Sequence, residues 1–485
     1  MSEDEVGRIA YEYHMQNDFQ NAKKYYKKFL TLNPEQPQVN NNLGVIYQIQ
    51  GDLQRAKLFY EKALTCNPNY IDTLKNIASL YKIEGDLQSA KKYYHQIADL
   101  DEKDIAALNN LSVIYKLEND HQKAQKYATK VLKIDTNNAD AYNNLGVIYK
   151  EKKDLVKALE YYTKALEIEP KSFETVLNLA LLFLLQKEYE KGFELYRYRY
   201  HKYDLYINTE LLKEKILIQN LADAGSHEVL ICFEQGFGDA IQFIRFDSQL
   251  ASLNMKYVYY ISQPLLKLFT YNFPNRSFMV TQEIQEFLYY LPMLDMGYHV
   301  GLKYENIPLS KRYLHVDAND AIRFAQKHLN VGKKKKVGFA YQGSPLHQND
   351  KNRSIELKTF LEGLCELFGE IKFYSLQYGI SKEEKIVLDE YNVKDLGSLI
   401  TDFYDTAVMV ACMDAIVSID SSLIHLSGAM GKKSFLMLPF VPDWRWGLDE
   451  TETNWYTSVK IYRQEKISDW DSVLKMLKED VKNEV

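Results

Sequence analysis

The chain has 485 residues, 46% apolar and 26% charged, a globular composition with enough apolar material for two or three packed domains. Its formal net charge of −6 leaves no basic excess to displace counterions, so nucleic acid is not an expected partner. Four cysteines at 66, 232, 365 and 412 form no CxxC and have no histidine at ligand spacing, which fits reduced thiols in the cytoplasm.

The acidic N-terminal segment lacks the apolar core of a signal peptide. The most apolar stretch, Val176–Leu185, is too short to span a bilayer. Through the first two hundred residues the dominant signal is a 34-residue period. Ala22, Ala56, Ala90, Ala124 and Ala158 recur at it, with Gly192 as a sixth. So do Tyr13, Tyr47, Tyr81, Tyr115, Tyr149 and Phe183, and a second row of Tyr26, Tyr60, Tyr94, Tyr162 and Tyr196 that Ala128 interrupts. The units NNLGVIYQIQGDLQRAKLFYEKALTCNP and NNLGVIYKEKKDLVKALEYYTKALEIEP resemble the tetratricopeptide repeat. The small residue lets the two helices of a unit approach, and the tyrosines fill the layers between them. Units of this kind stack into an α-solenoid with a groove. About six are expected over 1–206, the sixth losing the period in YRYRYHKYDLYI, and 207–226 reads as a capping helix or linker.

One row is polar: Asn42, Asn76, Asn110, Asn144 and Asn178. An amide donates and accepts at once, so such a ladder can grip an extended peptide backbone whatever its side chains. Asn is also common at this position of tetratricopeptide repeats. The ladder resembles that of O-linked N-acetylglucosamine transferase, which also joins repeats to a sugar-transfer domain.

Beyond 226 the pattern changes to short apolar runs alternating with helical spacing, an α/β signature with parallel sheets. Strands are expected at Glu228–Phe233, Tyr257–Ile261, Phe278–Thr281 and His299–Leu302 in a first half, 227–330. A second half, 331–485, has strands at Val337–Tyr341, Ile371–Leu376, Ala415–Ile419 and Ser434–Leu438. The block Lys333–Lys336 reads as a solvated strand entry. Two turns contain glycine after a strand, Gly236-Phe237-Gly238-Asp239 and Gly343-Ser344, where backbone can approach a ligand closely. The stretch Ala415–Gly431 is a buried strand, a turn through Asp420, Ser421 and Ser422, and a helix carrying His425 one turn in. Helix N-termini of this kind offer N–H groups to an anion. Ser421 and Ser422 can cap the helix or bond a phosphate oxygen, and His425 is a core residue or a ligand contact.

In order, GFGD, YQGSP, NDKNRSI, SLQYG, DFYDTA, the Asp420–Gly431 stretch and PDWRW resemble the sugar-transfer domain of bacterial tetratricopeptide glycosyltransferases. That group is similar to the heptosyltransferases of glycosyltransferase family nine and includes repeat-bearing flagellin glycosyltransferases. The resemblance covers about 225 to 470. It implies a GT-B fold of two Rossmann-like halves, with the acceptor on the first and the nucleotide-sugar on the second. It also implies a catalytic base at Asp239; an N-cap role is the alternative at this position. Gly236, Gly238, Gly343, Ser344, Lys351, Arg353, Asp420, Ser421, Ser422 and His425 would surround the donor and its diphosphate, and Gln377 would read the base or ribose. Family members place Trp after the phosphate-binding Lys; none follows Lys351 here, so Lys351 and Arg353 both stand as the phosphate cation. Asp402 is expected to cap the helix after it, and Trp444, Arg445 and Trp446 to lock the last strand in place.

The expectation is a cytoplasmic, inverting glycosyltransferase that moves a sugar from a nucleotide-sugar to a protein held in the repeat groove, flagellin being one candidate. No cofactor is expected, nor a metal, since no DxD stands in a suitable context. The alternatives are a non-catalytic repeat scaffold with a vestigial nucleotide-binding domain, and a transferase acting on lipopolysaccharide or another glycan.

Overall fold

The computed structural model describes residues 1–201, 212, 214–234, 236–253, 255–280, 284, 286–308, 312–329, 332–345 and 349–485. The chain divides into two compact units, Met1–Lys171 and Ser172–Val485.

The first unit is five antiparallel helix pairs: α1 Glu3–Met15 with α2 Phe19–Leu32, α3 Pro37–Ile49 with α4 Leu53–Cys66, α5 Ile71–Ile83 with α6 Leu87–Leu100, α7 Ile105–Leu117 with α8 His121–Ile134, and α9 Ala139–Glu151 with α10 Leu155–Ile168. The 34-residue period has local causes. Asp18, Asp52, Asp86, Asp120 and Asp154 each cap a second helix, accepting the backbone N–H three residues on at 3.0–3.1 Å. Just before each cap the chain enters the left-handed region, at Asn17, Gly51, Gly85, Asn119 and Lys153. Ala22, Ala56, Ala90, Ala124 and Ala158 are fully buried where the helices of a pair cross. At Gly44 a Cβ would lie 2.4 Å from the Tyr60 ring, and at Gly146 2.5 Å from that of Tyr162, so the tyrosine rests on bare backbone. In the fourth pair Ala128 replaces the tyrosine, and Ser112 turns its hydroxyl to the Ala124 carbonyl at 2.9 Å.

The second unit starts with a sixth pair, α11 Phe173–Leu185 and α12 Tyr189–Tyr196, continued by a 3₁₀ turn to His201. The sixth repeat expected from the sequence is thus present as a helix pair, and it packs within the second unit. Glu188 stands where the other pairs have a capping Asp and makes no cap bond. Residues 202–211 and 213, including the end of YRYRYHKYDLYI and part of the expected linker, lie outside the described residues. The chain then forms the short strand β1, Ile216–Leu217, and a 3₁₀ turn, Leu221–Ala224.

Two parallel sheets make up the rest. The first has the order β1-β5-β2-β3-β4, with β2 Val229–Cys232, β3 Tyr257–Tyr260, β4 Phe278–Met279 and β5 Tyr289–Pro292. His299–Leu302 is not the strand expected: Met296–His299 is a helical turn, and Tyr289–Pro292 takes the place beside β2. The second sheet has the order β11-β10-β9-β6-β7-β8, with β6 Lys335–Ala340, β7 Ile371–Ser375, β8 Lys394–Asp395, β9 Ala415–Ile419, β10 Ser434–Leu438 and β11 Val459–Arg463. Lys333 to Lys335 are exposed at the entry of β6, as expected. Val337, Phe339, Val417, Ile419, Phe435 and Met437 pack under the helices Leu357–Leu364 and Trp470–Glu484. Each sheet reverses its winding once, between β2 and β5 in the first and between β6 and β9 in the second. Crevices at the carboxyl ends of strands at such reversals are where open α/β sheets bind ligands. No helix among the described residues is long and apolar enough to cross a membrane.

Candidate functional site

At the first sheet's reversal the crevice is filled by the chain itself. Glu234 follows β2 and Asp295 follows β5. Arg199, fully buried, donates Nε and Nη2 to Glu234 at 2.8 and 2.7 Å, and Nη1 to Asp295 at 2.7 Å. Glu234 also accepts the Leu294 N–H at 2.7 Å, and the Tyr200 hydroxyl donates to Asp295. Arg199 comes from the turn after α12, so the sixth helix pair holds the start of the loop that leads to Gly236.

That loop ends in the helix Phe237–Phe243. Asp239 lies in its first turn and accepts the Gly236 N–H at 3.0 Å on Oδ2. Its Oδ1 accepts from Arg445 Nη2, across from the second sheet. Gly238 packs on the helix Ser422–Ala429, where a Cβ would stand 2.6 Å from His425 Cδ2. Phe237 meets Phe403 with ring centroids 4.9 Å apart. The two halves thus touch at the expected base.

At the second reversal, Gly343 follows β6 and Asp420 follows β9. A Cβ at Gly343 would sit 2.5 Å from Arg353 Nη2, so glycine makes room for that guanidinium. Arg353 donates Nη1 to the Asp420 carbonyl at 3.0 Å and Nε to Asp350 at 3.2 Å. Its side chain is 13% exposed, whereas Lys351 and Ser344 are exposed. Gln377, after β7, accepts the N–H groups of Tyr341 and Gln342 at 3.3 and 3.1 Å, tying two strand ends together. Ser421 is the N-cap of the helix Ser422–Ala429 but makes no cap bond; its hydroxyl pairs with Ser418 at 3.0 Å. Asp402 caps the helix Phe403–Cys412, accepting the Asp405 N–H at 2.9 Å.

Burial, reinforced by the charge of Asp443, pushes the Asp420 carboxyl up to about 6, with Arg353 and Arg445 pulling the other way. Burial also drives His425 well below its ordinary value, helped by Arg445, Arg245 and Arg353, so its ring is neutral. Its Nε2 is 3.8 Å from Asp420, which is therefore no ion pair, and Nδ1 shares a 3.0 Å hydrogen bond with the Tyr456 hydroxyl. Burial opposes the charge on Arg445, but Asp443 and Asp239 overcome it and raise the pKa. The arrangement joins two carboxylates, a buried guanidinium held on one of them, a second, partly exposed guanidinium at Arg353, and a helix N-terminus.

Sequence reasoning missed Arg445, Asp443 and Gln242 as site residues. The only signal was a charged residue between two tryptophans in PDWRW. Both tryptophans are buried: Trp444 packs edge-on against Tyr189 and Phe193, and Trp446 lies 5.3 Å from the His425 ring. That agrees with the locking role expected of them.

The five Asn of the polar row are half-buried. Asn42 donates to the Tyr26 hydroxyl at 3.1 Å and Asn76 to Asn41 at 2.9 Å. Asn110 donates to the Ala106 carbonyl and accepts from Lys82. Asn178 belongs to the second unit.

Models of the tetratricopeptide repeat match residues 37–70 and 139–172, 59–92, and 7–36 and 105–138. The first unit is therefore a tetratricopeptide-repeat array. No curated protein matches the chain in sequence. Among solved structures, a tetratricopeptide repeat protein from Parabacteroides merdae is 19% identical over 44% of this chain and 84% of its own, with a TM-score of 0.39. YrrB, a TPR protein with an unusual peptide-binding site, is 24% identical over 35% of this chain and 88% of its own, at 0.33. The pilF protein of Pseudomonas aeruginosa is 16% identical over 44% and 97%, at 0.36.

Proposed function

We propose that the second unit transfers a sugar from a nucleotide-sugar to a protein acceptor held by the repeats, its two sheets forming a GT-B arrangement. The observation that carries this reading is the meeting of Asp239, Arg353, Asp420 and Arg445 at the carboxyl ends of strands from two parallel sheets. In the proposed reaction an acceptor hydroxyl attacks the anomeric carbon and gives its proton to Asp239. The bond from that carbon to the phosphate oxygen breaks, and its electron pair leaves with the nucleoside diphosphate. Arg353 and the N-terminus of the helix Ser422–Ala429 would meet the charge on the leaving group. A single displacement inverts the anomeric centre.

The test is a panel of UDP-, GDP-, ADP- and CMP-sugars with the purified chain, read as hydrolysis and as thermal stabilisation by the free nucleotides. A nucleotide at 100 times its Kd adds about 2.7 kcal/mol. No hydrolysis and no stabilisation across the panel refutes the reading. One observation favours a binding scaffold instead: the family match lies wholly within the repeats. A refuting result on the panel would leave the scaffold standing.

A further inference from the structure

We propose that Arg445 is a positioning residue for Asp239, fixing one carboxylate oxygen before substrate arrives; its catalytic meaning rests on the transferase reading. Asp239 is held from both halves, by the Gly236 N–H on one oxygen and by Arg445 on the other. Arg445 is itself immobilised on every edge. Nε donates to Gln242 Oε1 at 2.6 Å, Nη1 donates to Asp443 at 2.8 Å, and the guanidinium lies 4.3 Å over the Trp444 ring. Gln242 is fully buried and stands one turn beyond Asp239 on the same helix, so the fork grips that helix at two points. Its Nε2 has no acceptor among the described residues, which leaves Arg445 as the group that fixes the amide. A planar guanidinium spreads its donors over a rigid fork and can reach these separate acceptors at once; an ammonium's three donors radiate from one atom. Among the described residues the other charged groups acting on the cluster are Asp443, Asp420, Arg353 and Arg245, with His425 neutral. A residue serving only to join the halves would not need its fork turned onto the carboxylate next to the Gly-x-Gly turn.

The experiment titrates Asp239 in the full chain by carbon NMR of labelled aspartate, with Asp239→Asn assigning the resonance. Arg445→Gln is expected to raise the midpoint by about one unit or more, a tenfold change in ionisation. An unchanged midpoint overturns the proposal, because a purely structural role would lower the melting temperature without moving it. Arg445→Lys keeps the charge but not the fork. It is expected to titrate near the parent while losing about 10-fold or more in kcat on the nucleotide-sugar the parent hydrolyses. Added to Asp239→Asn it should cost nothing further, and multiplying losses overturn the proposal. If Arg445→Gln does not fold, Arg445→Lys and the double variant decide. If the parent neither hydrolyses nor is stabilised by any nucleotide of the panel, the transferase reading fails, and the titration alone decides whether Arg445 holds Asp239.

Discussion

Replacing Arg199 by Met should destabilise the second unit by about 3–5 kcal/mol at neutral pH, the usual cost of stripping a buried carboxylate of its cation. The structure shows what is lost: three charge-assisted bonds of 2.7–2.8 Å to Glu234 and Asp295. It also shows what is kept: the Leu294 N–H on Glu234, and Tyr200 and Arg197 on Asp295. The retained donors hold the cost below the sum of the three bonds, about 1.5–3 kcal/mol each. The pH dependence has a definite sign. Burial already raises the Glu234 carboxyl above its ordinary value while Arg199 pulls it down. Without Arg199 it rises further. A carboxyl raised in the folded state penalises folding when ionised, and the penalty fades as pH falls toward the unfolded value of about 4.3. The deficit should therefore be greatest near pH 7.5 and shrink by pH 5. The assay is urea unfolding followed by tryptophan fluorescence. All four tryptophans, 444, 446, 455 and 470, lie in the second unit, so the signal ignores the repeats. A deficit under about 1 kcal/mol at pH 7.5, or an equal deficit at both pH values, would refute the reasoning.

Gly238→Ala should cost about 1–3 kcal/mol by the same assay, because its Cβ would enter the His425 ring at 2.6 Å and neither helix can yield cheaply; an unchanged urea midpoint would show that the two helices are not tightly packed. Arg353→Ala should weaken nucleoside diphosphate binding by about 10-fold or more, measured calorimetrically, the loss of a charge-assisted bond. Lys351→Ala, altering an exposed side chain, should change it less than Arg353→Ala; the reverse order would place the phosphates elsewhere. Replacing Asn76, Asn110 and Asn144 together by Ala should weaken transfer to a protein acceptor by roughly 10- to 10³-fold, and leave donor hydrolysis unchanged. Because Asn76 and Asn110 bond within the array, it should also cost about 0.5–1.5 kcal/mol at each of those two, seen in the far-ultraviolet melt. Equal losses in transfer and hydrolysis would reject the ladder as the acceptor's grip.

The amino-acid sequence alone determined the repeat array, because every device that builds it is local. A capping Asp, a left-handed residue before it and a small residue at the crossing all act within one helix pair and recur every 34 residues. It also determined the parallel strands and glycine turns that carry Asp239, Gly343 and Asp420, since a buried run followed by a turn and a helix is a short-range pattern. His299–Leu302 misled because a four-residue apolar run does not by itself distinguish a strand from a helical turn and its exit; pairing with β2 selected Tyr289–Pro292 instead. The sixth helix pair reads as another repeat, yet it belongs to the second unit, where Tyr189 and Phe193 meet Trp444 and Arg199 fills a sheet reversal. Arg445 is 206 positions from the carboxylate it holds. Such contacts have no period and no local signature, because they depend on which strand ends the two sheets bring together, and only the packed chain decides that.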